Sequence, residues 1–487
     1  MENVLIIGGG VAGLSAGIYA GLKGLRATVC ERLPVAGGCL SAWDRRGFTI
    51  DNCIHWLTGT NPHTALYKLW KDLGVLGRGG EEIRKRDCLF TAVEGEETLS
   101  LSRDPSLFEK RLLALAPEEE KEIRALCRAV AAMRDLEGVG GPGCDRKRGF
   151  LPALLSAPEL VRYALLSAEG LSERFRHPLI RRFLRDFMPE GFGALALIYT
   201  MAVFTGEDGD LPRGGSQAMA ENMTARFLET GGALLPGKEA VRIETGDGRA
   251  KAVVFRDGSR LPADNLILTL DPARIFGELL ERPMPRDLQK QYQNPALRRF
   301  SAFHAAFAAE TPSLPFTGDL ILPLPGDFPE EARGRAMLLR NASGEEETAP
   351  AGKSLIQTMI YLGEEQAKAF IALRERDINA YRRLKERLCR EEEALLLGRF
   401  PELRRKLLLL DAWTPASYKR YVASEIGSFM SFTLPERFAP RALSGRVPGL
   451  RNVRLAGQWL RLPGGLPMAA ESGRDAALYF AKKAGRA

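Results

Sequence analysis

The chain lacks any uncharged apolar stretch of about 20 residues, the length that a transmembrane helix needs. Its first apolar run is short, follows Glu2 and leads directly into glycines, so it does not have the form of a signal peptide. The seven cysteines are scattered, and none forms a C-x-x-C pair, which argues against a disulfide framework and a zinc ribbon. These absences predict a cytoplasmic protein.

Histidine is also scarce, with four in 487 residues, so we expect no metal cluster. No nucleophile elbow and no paired-carboxylate pattern is present. Lys and Arg (69) outnumber Asp and Glu (61), but the two signs are mixed and no nucleic-acid motif accompanies them. We therefore expect no nucleic-acid partner. Residues 145–166 place basic side chains beside an apolar helical face, which fits either solvated surface charge or peripheral contact with a membrane surface.

A short apolar strand run at the N-terminus ends in G-x-G-x-x-G and predicts a following helix. Each glycine has its own reason: Gly8 allows a tight turn, Gly10 lets the backbone approach a pyrophosphate, and Gly13 lets the helix pack closely on the strand. The amides of the first helical turn, at Val11 and Ala12, would then face the phosphates. This arrangement predicts a dinucleotide site.

A second predicted strand ends at Glu31, where dinucleotide folds place an acid that binds ribose hydroxyls. An acid rather than a base predicts an unphosphorylated ribose. The glycine motif alone does not distinguish FAD from NAD. Arg32 and the Gly37-Gly38 pair that follow are typical of FAD proteins of the extended, two-part kind.

Two other glycine-rich segments imitate nucleotide motifs without their structural setting. Gly138 to Gly143 also fits G-x-G-x-x-G, but it follows a helical run and contains Pro142, so we predict a loop. Residues 232–238 nearly spell a phosphate-binding loop, but Glu239 stands where Ser or Thr is required and a strand is predicted to follow. The sequence therefore predicts a single dinucleotide unit.

The C-terminal segment repeats the strand, glycine loop and helix of the N-terminus. Its last helix begins near Pro467, whose missing N–H costs nothing at a helix start. Because discontinuous FAD domains take their last strand and helix from the C-terminus, we expect both chain ends to build one FAD site. The C-terminal contacts that we predict are Gly457, Gln458, Gly464, Gly465, Leu466 and Pro467.

The middle of the chain contributes a third piece of the same site. Residues 214–272 read as a helix, a strand, a hairpin and a further strand. We expect the backbone of Val241 to meet the adenine. Thr269 ends a buried strand just before Asp271, so we also predict it to contact the cofactor.

Together these pieces resemble the phytoene desaturase, carotenoid isomerase and retinol saturase family of FAD oxidoreductases. The residues that carry the resemblance are Gly8 to Gly13, Glu31, Arg32, Gly37, Gly38 and the segments 47–59, 210–223, 411–421 and 455–473. Gln458 is a departure, because many relatives have an acid at that position. An amide still donates and accepts hydrogen bonds but carries no charge.

The resemblance implies an α/β fold with two domains. One is a discontinuous, Rossmann-like FAD-binding domain, predicted from residues 1–75, 211–275 and 445–487. The other is an α+β substrate domain with an antiparallel sheet and helices, predicted from residues 76–210 and 276–444.

Within the substrate domain, residues 298–310, 335–343 and 353–362 read as strands of the antiparallel sheet. His304 lies in the first of these strands and is expected to be structural. Residues 194–204 form an apolar segment near the domain junction, which could be core or the wall of a lipophilic tunnel.

The resemblance further implies hydride transfer between flavin N5 and a carbon–carbon bond, in desaturation, saturation or isomerisation. The expected substrate is lipophilic and unsaturated, of polyene or isoprenoid type, and an external electron donor or acceptor is the expected partner. Asp51, His55 and Trp56 are the candidate catalytic residues, and His55 could protonate a carbon. The alternative is that Trp56 is core and His55 structural. Two other functions stay open: an FAD-dependent amine oxidase, and a flavoprotein in which FAD is structural.

Overall fold

The structure is a computed structural model. It describes residues 3–77, 82–136, 158–342, 345, 348–437 and 442–486. The loop predicted at Gly138 to Gly143 lies outside the described residues. No helix in the part of the chain that the structure describes combines the length and hydropathy needed to cross a bilayer.

A parallel sheet of five strands connects the two ends of the chain with its middle. Its order is β19-β13-β1-β2-β9. The strands are β1 Asn3–Ile7, β2 Arg26–Cys30, β9 Ala233–Leu235, β13 Asn265–Leu268 and β19 Val453–Leu455. All five belong to the three segments predicted for the FAD domain. The domain boundaries themselves stay a prediction.

Strand β1 is a continuous apolar run because both of its faces are covered. Val4 and Ile6 pack with the helices on one face, whereas Leu5 and Ile7 pack on the other face with a three-stranded antiparallel sheet. The strands of that small sheet are β10 Ala240–Gly246, β11 Arg249–Phe255 and β12 Arg260–Pro262. The segment after Gly232 thus leads into strands, as predicted.

The first helix, Val11–Leu22, packs against the C-terminal helix, Leu466–Lys483. Their contact is so close that a Cβ atom built at Gly473 would lie 2.1 Å from the carbonyl oxygen of Ala12. The Ser15 hydroxyl donates to the carbonyl of Ala470 across the same interface, at 2.7 Å. Both helices therefore begin beside one another at the carboxyl edge of the parallel sheet.

The second large sheet has seven strands in the order β18-β14-β17-β16-β15-β6-β7. The strands are β6 Cys88–Glu94, β7 Glu97–Ser102, β14 Phe300–Ala309, β15 Leu320–Pro323, β16 Ala336–Asn341, β17 Ser354–Gly363 and β18 Leu407–Trp413. All neighbours are antiparallel except β15 and β6. The three strands predicted from sequence are β14, β16 and β17, and their antiparallel pairing is confirmed.

Two short antiparallel pairs complete the sheets: the hairpin of β3 Ala42–Arg45 with β4 Phe48–Asp51, and the long-range pair of β5 Ile83–Arg84 with β8 Leu211–Pro212. The other described α-helices are Ala65–Asp72, Pro105–Leu115, Glu120–Asp135, Pro158–Val161, Ala168–Ser172, Pro178–Asp186, Ala194–Thr205, Gly215–Glu229, Pro272–Arg274, Arg286–Tyr292, Glu364–Arg376, Ile378–Arg399 and Pro415–Val422. Short 3₁₀ turns occur at Pro117–Glu119, Glu330–Ala332, Pro401–Leu403 and Gln458–Leu460, and a π turn at Ile275–Leu279.

The packing of the two terminal helices predicts the effect of adding one methyl group. We expect Gly473→Ala to lower the free energy of unfolding by about 1–3 kcal/mol, because the new Cβ overlaps the backbone of the first helix. The control is Gly398→Ala, another helical glycine, whose Cβ would meet nothing within 4 Å. That change should stabilise by about 0.5–1 kcal/mol. Urea denaturation of both variants measures the difference, and equal effects would contradict the close packing.

Candidate functional site

One cavity of about 930 Å³ runs between the carboxyl edge of the parallel sheet and one face of the seven-stranded sheet. At one end it is bounded by the glycine turn after β1 and by Glu31. At the other end it is bounded by apolar and aromatic side chains of the helices between residues 158 and 205. A cavity of this size suits a ligand as large as a cofactor or drug-sized molecule.

The three motif glycines differ in what the absence of a side chain allows. Gly8 has a positive φ of 105°, and a Cβ there would lie 2.4 Å from Oγ1 of Thr269. A Cβ at Gly13 would lie 1.9 Å from the carbonyl oxygen of Gly8, so that position is needed for packing. Gly10 differs: its Cβ would meet nothing closer than 3.7 Å within the protein. Packing within the protein therefore does not require a glycine at this position, and the missing side chain leaves space in the cavity for a ligand.

Glu31 lies at the end of β2 with its carboxylate against the glycine turn. Its Oε2 accepts a hydrogen bond from the amide of Gly9 at 2.7 Å, and its Oε1 accepts from the amide of Leu33 at 2.7 Å. Each carboxylate oxygen has a second lone pair for a ligand hydroxyl. The neighbouring Arg32 donates to the carbonyls of Arg420 and Tyr421 and also lines the cavity.

Two helices present uncapped N-termini to this cavity. Neither the first helix, which starts at Val11, nor the C-terminal helix, which starts at Leu466, has a capping side chain or an acidic residue in its first turn. Both starting residues line the cavity. Free amides and the positive ends of two helix dipoles thus favour anionic groups in this space.

The C-terminal loop is organised by the residue that departs from the family pattern. Gln458 Oε1 accepts from the amide of Gly465 at 3.0 Å, while its Nε2 donates to the carbonyl of Phe429 at 3.2 Å. Gly464 and Gly465 have φ values of 91° and 89°, which side-chain-bearing residues avoid. The amide uses both a donor and an acceptor, a combination that an ionised carboxylate could not provide.

The structure brings all but two of the predicted cofactor-contacting residues to the cavity. Those that line the cavity are Gly8, Gly10, Val11, Ala12, Glu31, Arg32, Gly37, Gly38, Thr269, Gly457, Gln458, Gly464, Gly465, Leu466 and Pro467. Gly13 is not among the lining residues, because it packs the helix on the turn. Val241 does not line it either: its side chain is exposed, and its predecessors Glu239 and Ala240 face the cavity instead.

The far end of the cavity is an apolar chamber. The helix Ala194–Thr205 contributes Leu195, Ala196 and Tyr199 to the wall and buries Leu197, Ile198 and Met201 in the core. The predicted apolar segment thus serves both roles that the sequence left open. Trp56 lines the chamber and stacks on Phe187 at 5.7 Å, and Phe187 stacks on Phe90 at 4.0 Å.

Asp51 lines the cavity, but its carboxylate is engaged by the protein. Oδ1 accepts from the amides of Cys53 and Ile54 and from the Ser216 hydroxyl, and Oδ2 accepts from the Ser216 amide at 2.7 Å. These bonds tie β4 to the start of the helix Gly215–Glu229. The geometry therefore gives Asp51 a positioning role and leaves its proposed part in catalysis without support.

His55 lines the cavity next to Trp56, at a ring separation of 6.5 Å. Within the described residues, its ring nitrogens have no hydrogen-bond partner. Burial, followed by the positive charge of Arg340, lowers the pKa of His55 to about 4. The imidazole is therefore neutral at neutral pH, so it suits proton acceptance better than the proton donation that the sequence suggested.

His304 also faces the cavity, but both of its ring nitrogens are used. Nδ1 lies 3.2 Å from the carbonyl of Thr358, and Nε2 lies 3.1 Å from the hydroxyl of Tyr418. The ring stacks on Trp413 at 4.6 Å with an angle of 4°. Burial, and then the neighbouring His55, lowers the pKa of His304 to about 3. These contacts support the predicted structural role.

The sequence did not reveal the polar residues on the cavity floor, which is the part of the wall that the seven-stranded sheet forms. Arg340 and Gln357 are register partners on β16 and β17, and both line the cavity. The signal was an arginine inside an otherwise apolar strand, "AMLLRN", where a charge is rarely buried without a reason.

Residues 11–478 match the family described as flavin containing amine oxidoreductase. The chain belongs to this family. Curated proteins of carotenoid metabolism are similar to it. The 4,4'-diapolycopene oxygenase of Methylomonas sp is 23% identical over 97% of both chains. The phytoene dehydrogenase of Streptomyces griseus is 27% identical over 58% of each chain, and the prolycopene isomerase of Daucus carota is 21% identical over 88% of this chain and 71% of its own.

Solved structures show the same fold. An oxidoreductase from Methanosarcina mazei matches with a TM-score of 0.62 at 16% identity, over 99% of this chain and 100% of that one. Cyclohexylamine oxidase from Brevibacterium oxydans matches with a TM-score of 0.59 at 16% identity, over 99% of both chains. The predicted α/β fold of the FAD-binding type is thus confirmed.

The protein is an FAD-dependent oxidoreductase. The residues of the cavity fit the cofactor, because they provide open space at Gly10, a carboxylate at Glu31 and two uncapped helix N-termini. The first helix and Glu31 would hold the phosphates and ribose. The loop at Gly464 and Gly465, with the start of the C-terminal helix, would hold the flavin end.

A substitution at Gly10 tests this assignment without disturbing the fold. We expect Gly10→Val to lower FAD affinity by at least tenfold, because its side chain would occupy cavity space, while the unfolding free energy of the FAD-free protein changes by less than about 1 kcal/mol. Flavin absorbance after gel filtration measures retention. Gly326→Val, at an exposed glycine with open space around it, is the matched control. Normal FAD retention by Gly10→Val would contradict the assignment.

The buried imidazole of His304 predicts acid sensitivity. Its folded pKa of about 3 lies below the ordinary 6.5, so the unfolded chain binds the proton first. The stability it contributes is complete above about pH 6.5 and falls as the pH drops toward 3. We expect His304→Asn to reduce the slope of unfolding free energy against pH by about 1.4 kcal/mol per pH unit near pH 5. Denaturation at several pH values, with the exposed His63→Asn as control, measures it. An unchanged slope would show that His304 is protonated in the folded state.

Proposed function

We propose that the protein transfers hydride between flavin N5 and a carbon–carbon bond of a lipophilic, unsaturated substrate of polyene or isoprenoid type. The observation that carries the proposal is the apolar chamber with its aromatic wall of Trp56, Phe187 and Phe90, which is continuous with the FAD space. The similarity to curated phytoene dehydrogenase, diapolycopene oxygenase and prolycopene isomerase supports this substrate class. Desaturation, saturation and isomerisation all remain within the proposal.

The side chains of the chamber position the substrate and exclude water. When bound, FAD supplies reversible acceptance of a hydride. Leu195, Phe187 and Tyr199 surround an apolar chain on the helical side, and Met359 and Tyr361 face it from the sheet. Because an extended hydrocarbon gains free energy along its whole length, these walls hold it by apolar contact rather than by single polar bonds.

His55 is the candidate proton acceptor of the reaction. It lies on the cavity wall, has no hydrogen-bond partner among the described residues, and is neutral at neutral pH. Removal of a hydride from one carbon makes the protons on the adjacent carbon acidic, and a neutral imidazole can take one of them. This role fits desaturation and isomerisation better than saturation, which needs a proton donor.

Amine oxidation is the second candidate function, and the likeness to cyclohexylamine oxidase and to putrescine oxidase structures favours it. The charges around His55 do not select against an amine, because the guanidinium groups of Arg340 and Arg86 are accompanied by the carboxylates of Asp319 and Asp51. The mainly apolar chamber favours the reaction at a carbon–carbon bond instead. A structural role for FAD is the third alternative, and the same experiment separates all three.

The electron partner and the membrane contact stay predictions. With one dinucleotide unit in the sequence, an external donor or acceptor is needed for net desaturation or saturation. Part of the basic, apolar segment 145–166 lies outside the described residues. In its described part Val161 and Leu165 are exposed, and Leu165 also lines the cavity, which supports entry of a lipophilic substrate from a membrane surface.

The function is tested on the FAD-loaded protein under anaerobic conditions. Oxidised enzyme is mixed with saturated and cis-polyene lipids, and chemically reduced enzyme with unsaturated lipids. Loss of the flavin absorbance in the first mixture, or its return in the second, supports the proposal when mass spectrometry shows a matching change in the lipid. Flavin reduction by amines alone supports the amine oxidase alternative. A flavin that no lipid or amine reduces or reoxidises, with no isomerised product, leaves the structural role.

We expect His55→Gln to lower the rate of substrate-dependent flavin reduction by about 10²–10⁴-fold while FAD stays bound, because a proton acceptor is lost. His63→Gln is the matched control, since His63 is exposed and does not line the cavity. Rapid-mixing absorbance gives the rate, and the flavin-to-protein ratio confirms that cofactor content is equal. A rate within about twofold of wild type would remove His55 from the mechanism.

A further inference from the structure

A guanidinium group lies on the floor of the apolar cavity. Arg340 is 6% exposed and sits near the end of β16. Leu338 and Arg340, two residues apart on the strand, share one face of the sheet, and both line the cavity. Burying a charge in such a place is costly unless something accepts its hydrogen bonds.

The protein provides hydrogen-bond partners for only part of this guanidinium group. Nη2 of Arg340 lies 3.0 Å from each carboxylate oxygen of Glu345. Its Nη1 and Nε have no hydrogen-bond partner in the described ranges, although a guanidinium carries five N–H donors. These donors belong to a residue that lines the cavity.

Gln357 stands directly opposite Arg340 in the sheet register and also lines the cavity. Its Nε2 donates to the carbonyl of Asp51 at 2.7 Å. Its Oε1 accepts no hydrogen bond from the described residues. The floor thus presents unused donors and one unused acceptor side by side, within walls that are otherwise mainly apolar.

The charges near this position favour a neutral group over an anion. Three carboxylates act on Arg340, those of Glu345, Asp51 and Asp319. Two further guanidinium groups accompany them: Arg86 forms an ion pair with Asp319 at 3.0 Å, and Arg84 forms one with Glu345 at 3.9 Å. The described cluster therefore holds three negative and three positive groups, so its charges already balance and a charged ligand would disturb that balance.

We propose that Arg340, with Gln357 beside it, binds a neutral oxygen atom, a hydroxyl or a carbonyl, on an otherwise apolar substrate. This deepens the proposed function, on which it rests: the substrate is an oxygenated isoprenoid or polyene rather than a pure hydrocarbon. A carbonyl oxygen accepts from Arg340, and a hydroxyl can also donate to Gln357. A site built to bind an oxygen discriminates strongly against the analogue that lacks it, because its own donors then stay unpaired.

The test compares chain-matched ligands on the FAD-loaded protein: geranylgeraniol, geranylgeranial, geranylgeranic acid and the hydrocarbon of the same chain, delivered in detergent. Perturbation of the flavin spectrum gives each Kd without requiring turnover. We expect the alcohol and the aldehyde to bind at least tenfold more tightly than the hydrocarbon, and the acid to bind more weakly than the alcohol. Arg340→Met should bring the alcohol and aldehyde within about threefold of the hydrocarbon.

Glu345→Gln is the matched control, because it breaks the same ion pair but keeps the Nη1 and Nε donors of Arg340. It should keep the preference for oxygenated ligands. If Arg340→Met does not fold, Arg340→Lys preserves the charge and removes the second nitrogen branch, and it should weaken the preference. Equal binding of all four ligands by the wild type, failure of all to bind, or parallel losses in the Arg340 and Glu345 variants would overturn the proposal.

The outcomes separate this proposal from the proposed function. If oxygenated ligands bind with the expected preference but no isoprenoid or polyene exchanges hydride or isomerises, the binding role stands and the proposed reaction fails. If the hydrocarbon is converted as efficiently as its alcohol, the reaction stands and the role of Arg340 fails.

Discussion

The contact between the first helix and the C-terminal helix is the constraint on which the rest of the structure depends. A parallel sheet buries its strands on both faces, so a helix layer must cover the face that Val4 and Ile6 share. Gly473 lets the two backbones meet without a side chain between them. The chain therefore has to return from its far end to its beginning before the sheet is complete.

This contact also creates the cofactor site. Because both helices begin at the carboxyl edge of the sheet, their free amides and dipole ends converge on one cavity, as ligand sites in open α/β sheets do. The loop before the C-terminal helix is held by Gln458, whose amide links Gly465 to the carbonyl of Phe429. An uncharged residue thus performs the structural task, and the positive ends of the helices are left for the cofactor.

The seven-stranded sheet forms the second wall of the cavity and places both apolar and polar side chains on it. Its strands place His304, Met359, Gln357 and Arg340 on the cavity side. Burial keeps the imidazoles neutral, because a charged ring would lose its hydration, and near His55 this effect outweighs the carboxylates of Asp319 and Asp51. Arg340 keeps its charge there, because a guanidinium cannot release its proton. The same sheet therefore supplies both apolar wall residues and one fixed donor group to the cavity.

The sequence by itself determined the parts of the site that each segment builds from its own backbone. A glycine turn after a strand, an acid at the end of the next strand and a Pro-Gly-Gly loop before a helix specify local geometry, so the units that bring Gly8, Gly10, Glu31 and Gly464 to Pro467 to one cavity could be predicted. The tertiary structure alone decided the rest. It turned Val241 outward, committed the Asp51 carboxylate to Ser216, lowered the pKa of His55 and brought Arg340 to the cavity floor. The physical reason is that burial, charge proximity and strand register depend on partners far away in the sequence, which no local pattern records.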